Sequence, residues 1–215
     1  MSLLAAAALA LVQPASAPYA ASGSEPFWRL EIAGGRMVFH PGDDSRISVA
    51  TPRRQAVRNG YRLVTRQFIV TVRHAVCEDE AERRYRDTVS VTTLDRVYDG
   101  CGGTLLPPVA LADTDWRIEA IGNVRVDGDA YVMSFHEGRI DARAGCNRLS
   151  GAYRERGGRL VPGPIAGTRM ACPGARMAHE RAFLAALRGG ARISYPAGDV
   201  LVLTGSGGTI RLRRV

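Results

Sequence analysis

Apolar and polar residues alternate at period two along most of this chain, and no other feature restricts its fold so strongly: the pattern is that of antiparallel sheet. QFIVTVRHAV (67–76), DTVSVTTL (87–94), DWRIEAIG (115–122), AYVMSFHEGRIDARAG (130–145) and DVLVLTGSGGTIRLRRV (199–215) each present one apolar and one polar face. Glycine and Asp-Gly turns separate them. VDGDAY (126–131) and TGSGGT (204–209) read as hairpin loops, because glycine accepts the positive φ that such turns require. The GSGG inside the second lacks the Lys-Ser/Thr sequel and following helix of a phosphate loop.

One long helix breaks the alternation. PGARMAHERAFLAALRGG (173–190) has Pro173 at its start, Met177, Phe183, Leu184 and Leu187 near one face, and Gly189–Gly190 as a stop. Its place between strands and a final hairpin predicts a plug or cap on a curved antiparallel sheet. The run CEDEAERRYRD (77–87), acidic first and basic last, predicts a shorter helical turn matched to the helix dipole. The expected fold class is mainly β with one helix, in two small antiparallel β-barrel-like modules.

LLPPVALADTDW (105–116) contains two prolines and precedes a fresh strand, which makes it the domain boundary. PFWRLEI (26–32) echoes TDWRIEAI (114–121). If the echo is a duplication, Trp28 and Trp116 each begin an equivalent first strand and pack inside their own barrel.

The opening residues, MSLLAAAALALVQPASAPYAASGS, hold a ten-residue apolar run, Leu3 to Val12, then Pro14 and small residues. Crossing a bilayer takes about 20 residues. The run therefore reads as a secretory signal peptide, although no Lys or Arg precedes it. Cleavage is expected within residues 17–22, after Ala17 with Pro18 an awkward successor, or after Ser22. No cysteine lies near it, which argues against a lipobox. The expected organisation is a leader at 1–22, an N-terminal β-rich domain at 23–108 and a C-terminal domain at 111–215, in a periplasmic protein without stable membrane insertion.

Net charge is +8, and all 29 basic residues are arginine. Residues 23–110 hold 13 arginines against 11 acids, and residues 111–215 hold 16 against 10. A nucleic-acid binder can carry such a charge. These arginines, however, are scattered without an aromatic stacking pattern, and export removes access to nucleic acid. They read as a solvated barrel surface or as attraction to an anionic envelope.

Four cysteines, Cys77, Cys101, Cys146 and Cys172, form an even set, which in an exported chain favours disulfides. Three pairings exist. Spacing prefers Cys77–Cys101 and Cys146–Cys172, one bridge in each half, each contributing roughly 3 kcal/mol in the loop-entropy account. Zinc sites use close cysteine pairs or neighbouring histidines. None of the four has a near partner, and His40, His74, His136 and His179 are dispersed, so no metal or cofactor is implied.

Catalytic readings find little support. A nucleophilic Cys146 needs a thiolate and an oriented base such as His136 or His179, and a bridge to Cys172 would silence it. Glu137, Asp141, Glu155 and Glu180 sit in no recognisable glycosidase pair. Glu180, on the helix beside apolar positions, is expected to meet Arg169 in a half-buried ion pair, the sharper alternative being an acid that contacts a ligand. Asn147 is expected to bond backbone within its own tight turn.

Two resemblances add to these readings. MSFHEGRIDARAGCNRLSGAYRERGGRL, with GTRMACPGARMAHERAFLAAL after it, resembles the META domain of HslJ-type heat-shock and envelope proteins. The carriers are Gly145, Cys146, Asn147, Ser150, Gly151, Tyr153, Thr168, Arg169, Met170, Ala171, Cys172, Met177, Glu180 and Phe183, over about residues 111–215. Ala142–Arg143–Ala144 departs from the glycine-containing bend of many members. The first half resembles an uncharacterised envelope family that accompanies META domains, through GSEPFW at Gly23–Trp28, Cys77 with Asp79, and Gly100–Gly102. Ala81–Glu82 and Tyr85–Arg86 stand where that family has Met-Ser and Tyr-Pro.

The META resemblance implies a small antiparallel β-barrel with a helix, an association with stress and drug tolerance, and no established catalytic activity. The functional expectation is an exported, non-enzymatic envelope protein that binds an envelope protein or a small amphipathic ligand, and not nucleic acid. One alternative is a periplasmic inhibitor of an envelope hydrolase such as lysozyme, although a basic protein suits a basic lysozyme poorly. The other is a hydrolase using Glu180 or Cys146.

Overall fold

The computed structural model describes residues 17–42, 45–172 and 174–215. They form two compact units that divide after Gly103. The leader reading at residues 1–16 and the helix start at Pro173 lie outside the described residues. Among the described residues no helix is long and apolar enough to cross a membrane.

The N-terminal unit is built from β1 (Tyr19–Ser24), β2 (Phe27–Ala33), β3 (Arg36–His40), β4 (Ile47–Ala50), β5 (Gln55–Val57), β6 (Gly60–Val64), β7 (Ile69–Arg73), β8 (Cys77–Glu78), β9 (Arg84–Thr92) and β10 (Val97–Leu105). They lie in one sheet in the order β4-β3-β2-β1-β10-β9-β7-β6-β5, with β8 on β9. The sheet curls into a half-barrel with β4 and β5 as its edges. Period-two alternation produces its core: Leu30, Met37, Val70, Val72 and Val91 point inward at 0–1% exposure around Trp28 and Phe39. The Phe39 ring packs against Phe68 at 5.4 Å and Tyr98 at 5.2 Å between centroids.

Three expectations change here. First, β1 begins at Tyr19, inside the stretch assigned to the leader, and pairs with both β2 and β10. A cut after Ala17 leaves this strand whole, whereas a cut after Ser22 removes most of it. Second, residues 77–87 form no helical turn. Cys77 and Glu78 pair with Tyr85 and Arg84 in a hairpin. Its bend is organised by Asp79, whose carboxylate accepts the N–H groups of Ala81 and Arg83 at 3.0 and 2.9 Å and the Arg83 guanidinium at 2.8 Å. Local side-chain bonds of this kind outcompete a helix that is too short to nucleate. Partial burial pushes the Asp79 carboxyl up, but the bonds from Arg83 and Ala81 prevail and hold it below the usual range. Third, Trp28 lies on the second strand of its unit, and its indole donates to Asp99 O at 2.9 Å, whereas Trp116 bonds Thr114 Oγ1 at 2.7 Å. Each indole is fully buried in its own core, but the two do not open equivalent strands.

The C-terminal unit contains β11 (Thr114–Ile121), β12 (Val124–Arg125), β13 (Tyr131–His136), β14 (Arg139–Ala144), β15 (Arg148–Arg156), β16 (Arg159–Pro162), β17 (Ala166–Gly167), α1 (Arg176–Leu187), β18 (Ala191–Ala197), β19 (Val200–Gly205) and β20 (Gly208–Arg214). Eight of them, β11-β13-β14-β15-β16-β18-β19-β20, close into a barrel when β20 returns to β11, with Ile210 opposite Ile121. β12 and β17 add short pairings to β11 and β15. TGSGGT turns the β19–β20 hairpin as expected, with Gly205 opposite Gly208. VDGDAY instead joins β12 to β13, the tight turn falling earlier, at Gly122–Asn123.

A barrel of this strand number is just wide enough for side chains to fill. Trp116, Met133, Phe135, Leu201, Leu203 and Leu212 fill it, all at 0% exposure. α1 completes the core by inserting Phe183, Ala186 and Leu187. Gly189 and Gly190, at φ 75° and 90°, end the helix and return the chain to β18.

Candidate functional site

The sequence motifs converge on the corner between β14 and β15. Arg143 pairs with Arg148, so Gly145, Cys146 and Asn147 make the turn. Gly145 is buried with φ 149°, and a Cβ there would lie 2.6 Å from Arg176 O in the first turn of α1. Glycine alone fits both the backbone angle and the close approach. Gly151, on β15, leaves room for Pro164 O and Ile165, which brings the segment leading to Thr168 onto the strand.

Asn147 is the hub. Its side chain is expected to bond backbone in its tight turn; it does bond backbone, but that of Met170, and every bond it makes reaches across the fold. Oδ1 accepts the Thr168 hydroxyl and the Met170 N–H, both at 2.8 Å. Nδ2 donates to the Glu180 carboxylate at 3.0 and 3.3 Å and to Met170 O at 3.4 Å. Thr168 closes the loop by accepting the Arg148 N–H at 3.1 Å. At 2% exposure, Asn147 thus saturates both ends of its amide where water cannot replace a lost partner.

Glu180 consequently meets Asn147. Among the described residues no ion pair joins it to Arg169, which is exposed, as is Met170 with its backbone held at both ends. The sulfurs of Cys146 and Cys172 are bridged across a Cα separation of 6.4 Å, and those of Cys77 and Cys101 across 5.4 Å. These are the pairs that spacing preferred. Among the described residues no cysteine is free. The corner is a clasp: the disulfide and the Asn147 amide tie residues 168–172 to the barrel, and the Glu180 bond adds the helix.

The histidines considered as bases for Cys146 are engaged elsewhere. His179 Nδ1 lies 2.8 Å from the Tyr131 hydroxyl and fixes α1 to β13. His136 lies 3.1 Å from Asp115 and 3.6 Å from Asp113. The carboxylates are likewise dispersed: Glu155 accepts the Leu111 N–H at 2.7 Å, Glu137 occupies the β13–β14 turn, and Asp141 is exposed on β14.

The bond to Asp115 raises the His136 pKa, while the Ser134 hydroxyl and then His136 lower that of Asp115. The ion pair stabilises the barrel fully between the unfolded carboxylate value of about 4 and the unfolded histidine value of about 6.5. Its contribution fades as pH rises through the raised His136 value and as pH falls through the lowered Asp115 value. An NMR titration of His136 is expected to give a midpoint above about 6.5, and Asp115→Asn should bring it down.

A second polar cluster, in the N-terminal unit, had no signal in sequence. Asp87, 4% exposed, accepts the Tyr19 hydroxyl at 3.1 Å and lies 2.8 Å from His74 Nδ1. Burial, and then the Asp87 charge, push the Tyr19 phenol well above its ordinary value. The Tyr61 ring packs beside His74 and carries the Arg54 guanidinium 4.4 Å above its face.

Residues 109–214 match the META domain. The whole clasp lies inside that match, which therefore identifies the C-terminal unit as META-like and leaves the N-terminal unit outside it. The chain is also similar to two proteins solved by NMR. One, from Burkholderia xenovorans, is 26% identical over 49% of this chain and 83% of that one, with a TM-score of 0.40. The other is 24% identical over 47% and 88%, with a TM-score of 0.42. None of the curated proteins matches.

Proposed function

We propose that the chain is an exported, non-enzymatic envelope protein that acts by binding, in the stress-related role associated with META domains. The observation that carries this reading is the pairing of all four cysteines, Cys77 with Cys101 and Cys146 with Cys172. Two bridges belong with an oxidising compartment.

The non-enzymatic part rests on the clasp: its sulfurs are bridged, and its carboxylate and amide are bonded to each other. The amphipathic-ligand part draws support from the outside of the barrel, since the interior is filled. There, an open groove of about 630 Å³ sets Val132 and Ala166 beside Arg143, Arg148 and Thr168.

The test is the intact mass of protein recovered from the envelope of cells expressing the full chain, with and without reduction and alkylation. The expected result is a shortened N-terminus, two bridges and no alkylation before reduction. A retained N-terminus with an alkylatable Cys146 would overturn both the location and the binding role.

A further inference from the structure

The N-terminal sheet turns Val70, Val72, Val89 and Val91 inward and presents a row of hydroxyls on its other face. Register builds the row. Arg62 on β6 lies opposite Thr71 on β7, which lies opposite Ser90 on β9. One step along, Arg73 lies opposite Thr88, with Gly60 as its other neighbour. Cross-strand neighbours hold their Cβ atoms about 5 Å apart, so two guanidinium groups and three hydroxyls share one small patch.

That patch is the floor of a cleft of about 660 Å³, a size that suits a small ligand. The Cys77–Cys101 bridge pins residues 77–80 beside it, and five carboxylates form its acidic wall, Glu25, Glu78, Asp79, Glu80 and Asp99. None of them is on β6 or β7, the strands that carry the arginines, and Asp79 is already paired with Arg83. A smaller depression of about 330 Å³ shares Arg62, Thr71 and Arg73 and adds Arg58. Among the described residues, none of these three arginines makes an ion pair or hydrogen bond with a carboxylate. Elsewhere Arg29, Arg83, Arg211 and Arg213 are paired.

We propose that this cleft is a binding site for a small hydroxylated oxyanion, a carboxylate or phosphate that also carries hydroxyl groups. Guanidinium groups hold such an oxyanion through charge-assisted, often bidentate hydrogen bonds. Thr71, Thr88 and Ser90 can donate to or accept from the ligand's hydroxyls, and the acidic wall accepts the outermost of them. The same wall repels an extended polyanion, so the site selects a short ligand with its charge at one end.

The proposal rests on the binding role argued above. A titration reads the cleft alone, whereas export and cysteine pairing are read by mass, so either can fail without the other. Full-length, ¹⁵N-labelled protein is titrated with glucuronate, with glycerol 3-phosphate and with glucose as the uncharged control. Saturable amide shifts at Thr71, Thr88 and Ser90 are expected with one or both oxyanions and not with glucose. Glucuronate alone would mark a sugar acid, and glycerol 3-phosphate alone a phosphate ester. Arg62→Gln with Arg73→Gln should weaken binding at least about tenfold, while Arg36→Gln, beside Ser48 on another part of the sheet, should leave it unchanged. Unshifted inward-facing Val70 and Val89 amides would show that the double variant is folded. No saturable shift with either oxyanion, equal binding of glucose, or full binding by the folded double variant would overturn the proposal.

Discussion

Phe183→Ala is expected to cost the C-terminal unit about 4 kcal/mol, the range for emptying a buried aromatic site. α1 buries only Phe183, Ala186 and Leu187, and Phe183 is the largest of the three at 0% exposure. The barrel around it is closed by backbone pairing and filled by rigid side chains, so little can collapse into the space. Removal should therefore leave a cavity and loosen the helix. The measurement is urea unfolding of the full chain, followed through the amide signals of β13 and β19 by NMR, since the near-ultraviolet signal combines Trp28 and Trp116. Met177→Ala, half-buried on the same helix, is the comparison and should cost far less. A loss below about 1 kcal/mol for Phe183→Ala, the level of a single methylene, would mean that the helix does not complete the core.

The second large effect is expected at Asn147. Asn147→Ala removes the partners of the Thr168 hydroxyl and the Met170 N–H and C=O, and leaves the Glu180 carboxylate without its amide. Unsatisfied buried groups cost about 1–3 kcal/mol each, part of which water recovers where the loop can open, so the net loss should be about 3 kcal/mol. A disulfide holds the same loop, and it limits how far the loop can move to find new partners. Asn147→Asp keeps the acceptor for Thr168 and Met170 but sets a carboxylate against Glu180, and should be no less damaging. Hydrogen exchange of the Met170 amide in the alanine variant should rise towards the rate of an open loop. An unchanged rate would show that Asn147 does not hold it.

Much of this architecture is written locally. Strands such as Tyr131–His136 with Arg139–Ala144, and Val200–Gly205 with Gly208–Arg214, announce themselves because alternation and turn glycines act within a few residues. The helix was legible for the same reason: its apolar residues recur at helical spacing ahead of two glycines. β1 was not, because Tyr19–Ser24 is small and polar and draws its stability from β2 and β10 rather than from its own residues. Residues 77–87 misled because charge order suggested a helix dipole, while the deciding bonds came from one carboxylate, Asp79, and from a bridge to Cys101.

The site divides in the same way. Gly145, Cys146, Asn147 and Thr168 could be singled out from sequence, yet their connections could not. The Asn147–Glu180 bond spans 33 residues and depends on Gly145 letting Arg176 O come close. Asp87, His74 and Tyr19 are joined only by the curl of the sheet, and the arginine and hydroxyl row only by strand register. Neither kind of neighbour leaves a periodic trace.

The clasp between barrel corner and helix is the centre of this account, and a double-mutant cycle between Asn147 and Glu180 tests it most directly. Urea unfolding of the full chain is measured for Asn147→Ala, Glu180→Ala and the double variant. A bond between amide and carboxylate should appear as a coupling of about 1–2 kcal/mol, the double variant losing less than the two single losses combined. Losses that add to within about 0.5 kcal/mol would mean that the two residues act independently, and the clasp would not exist as described.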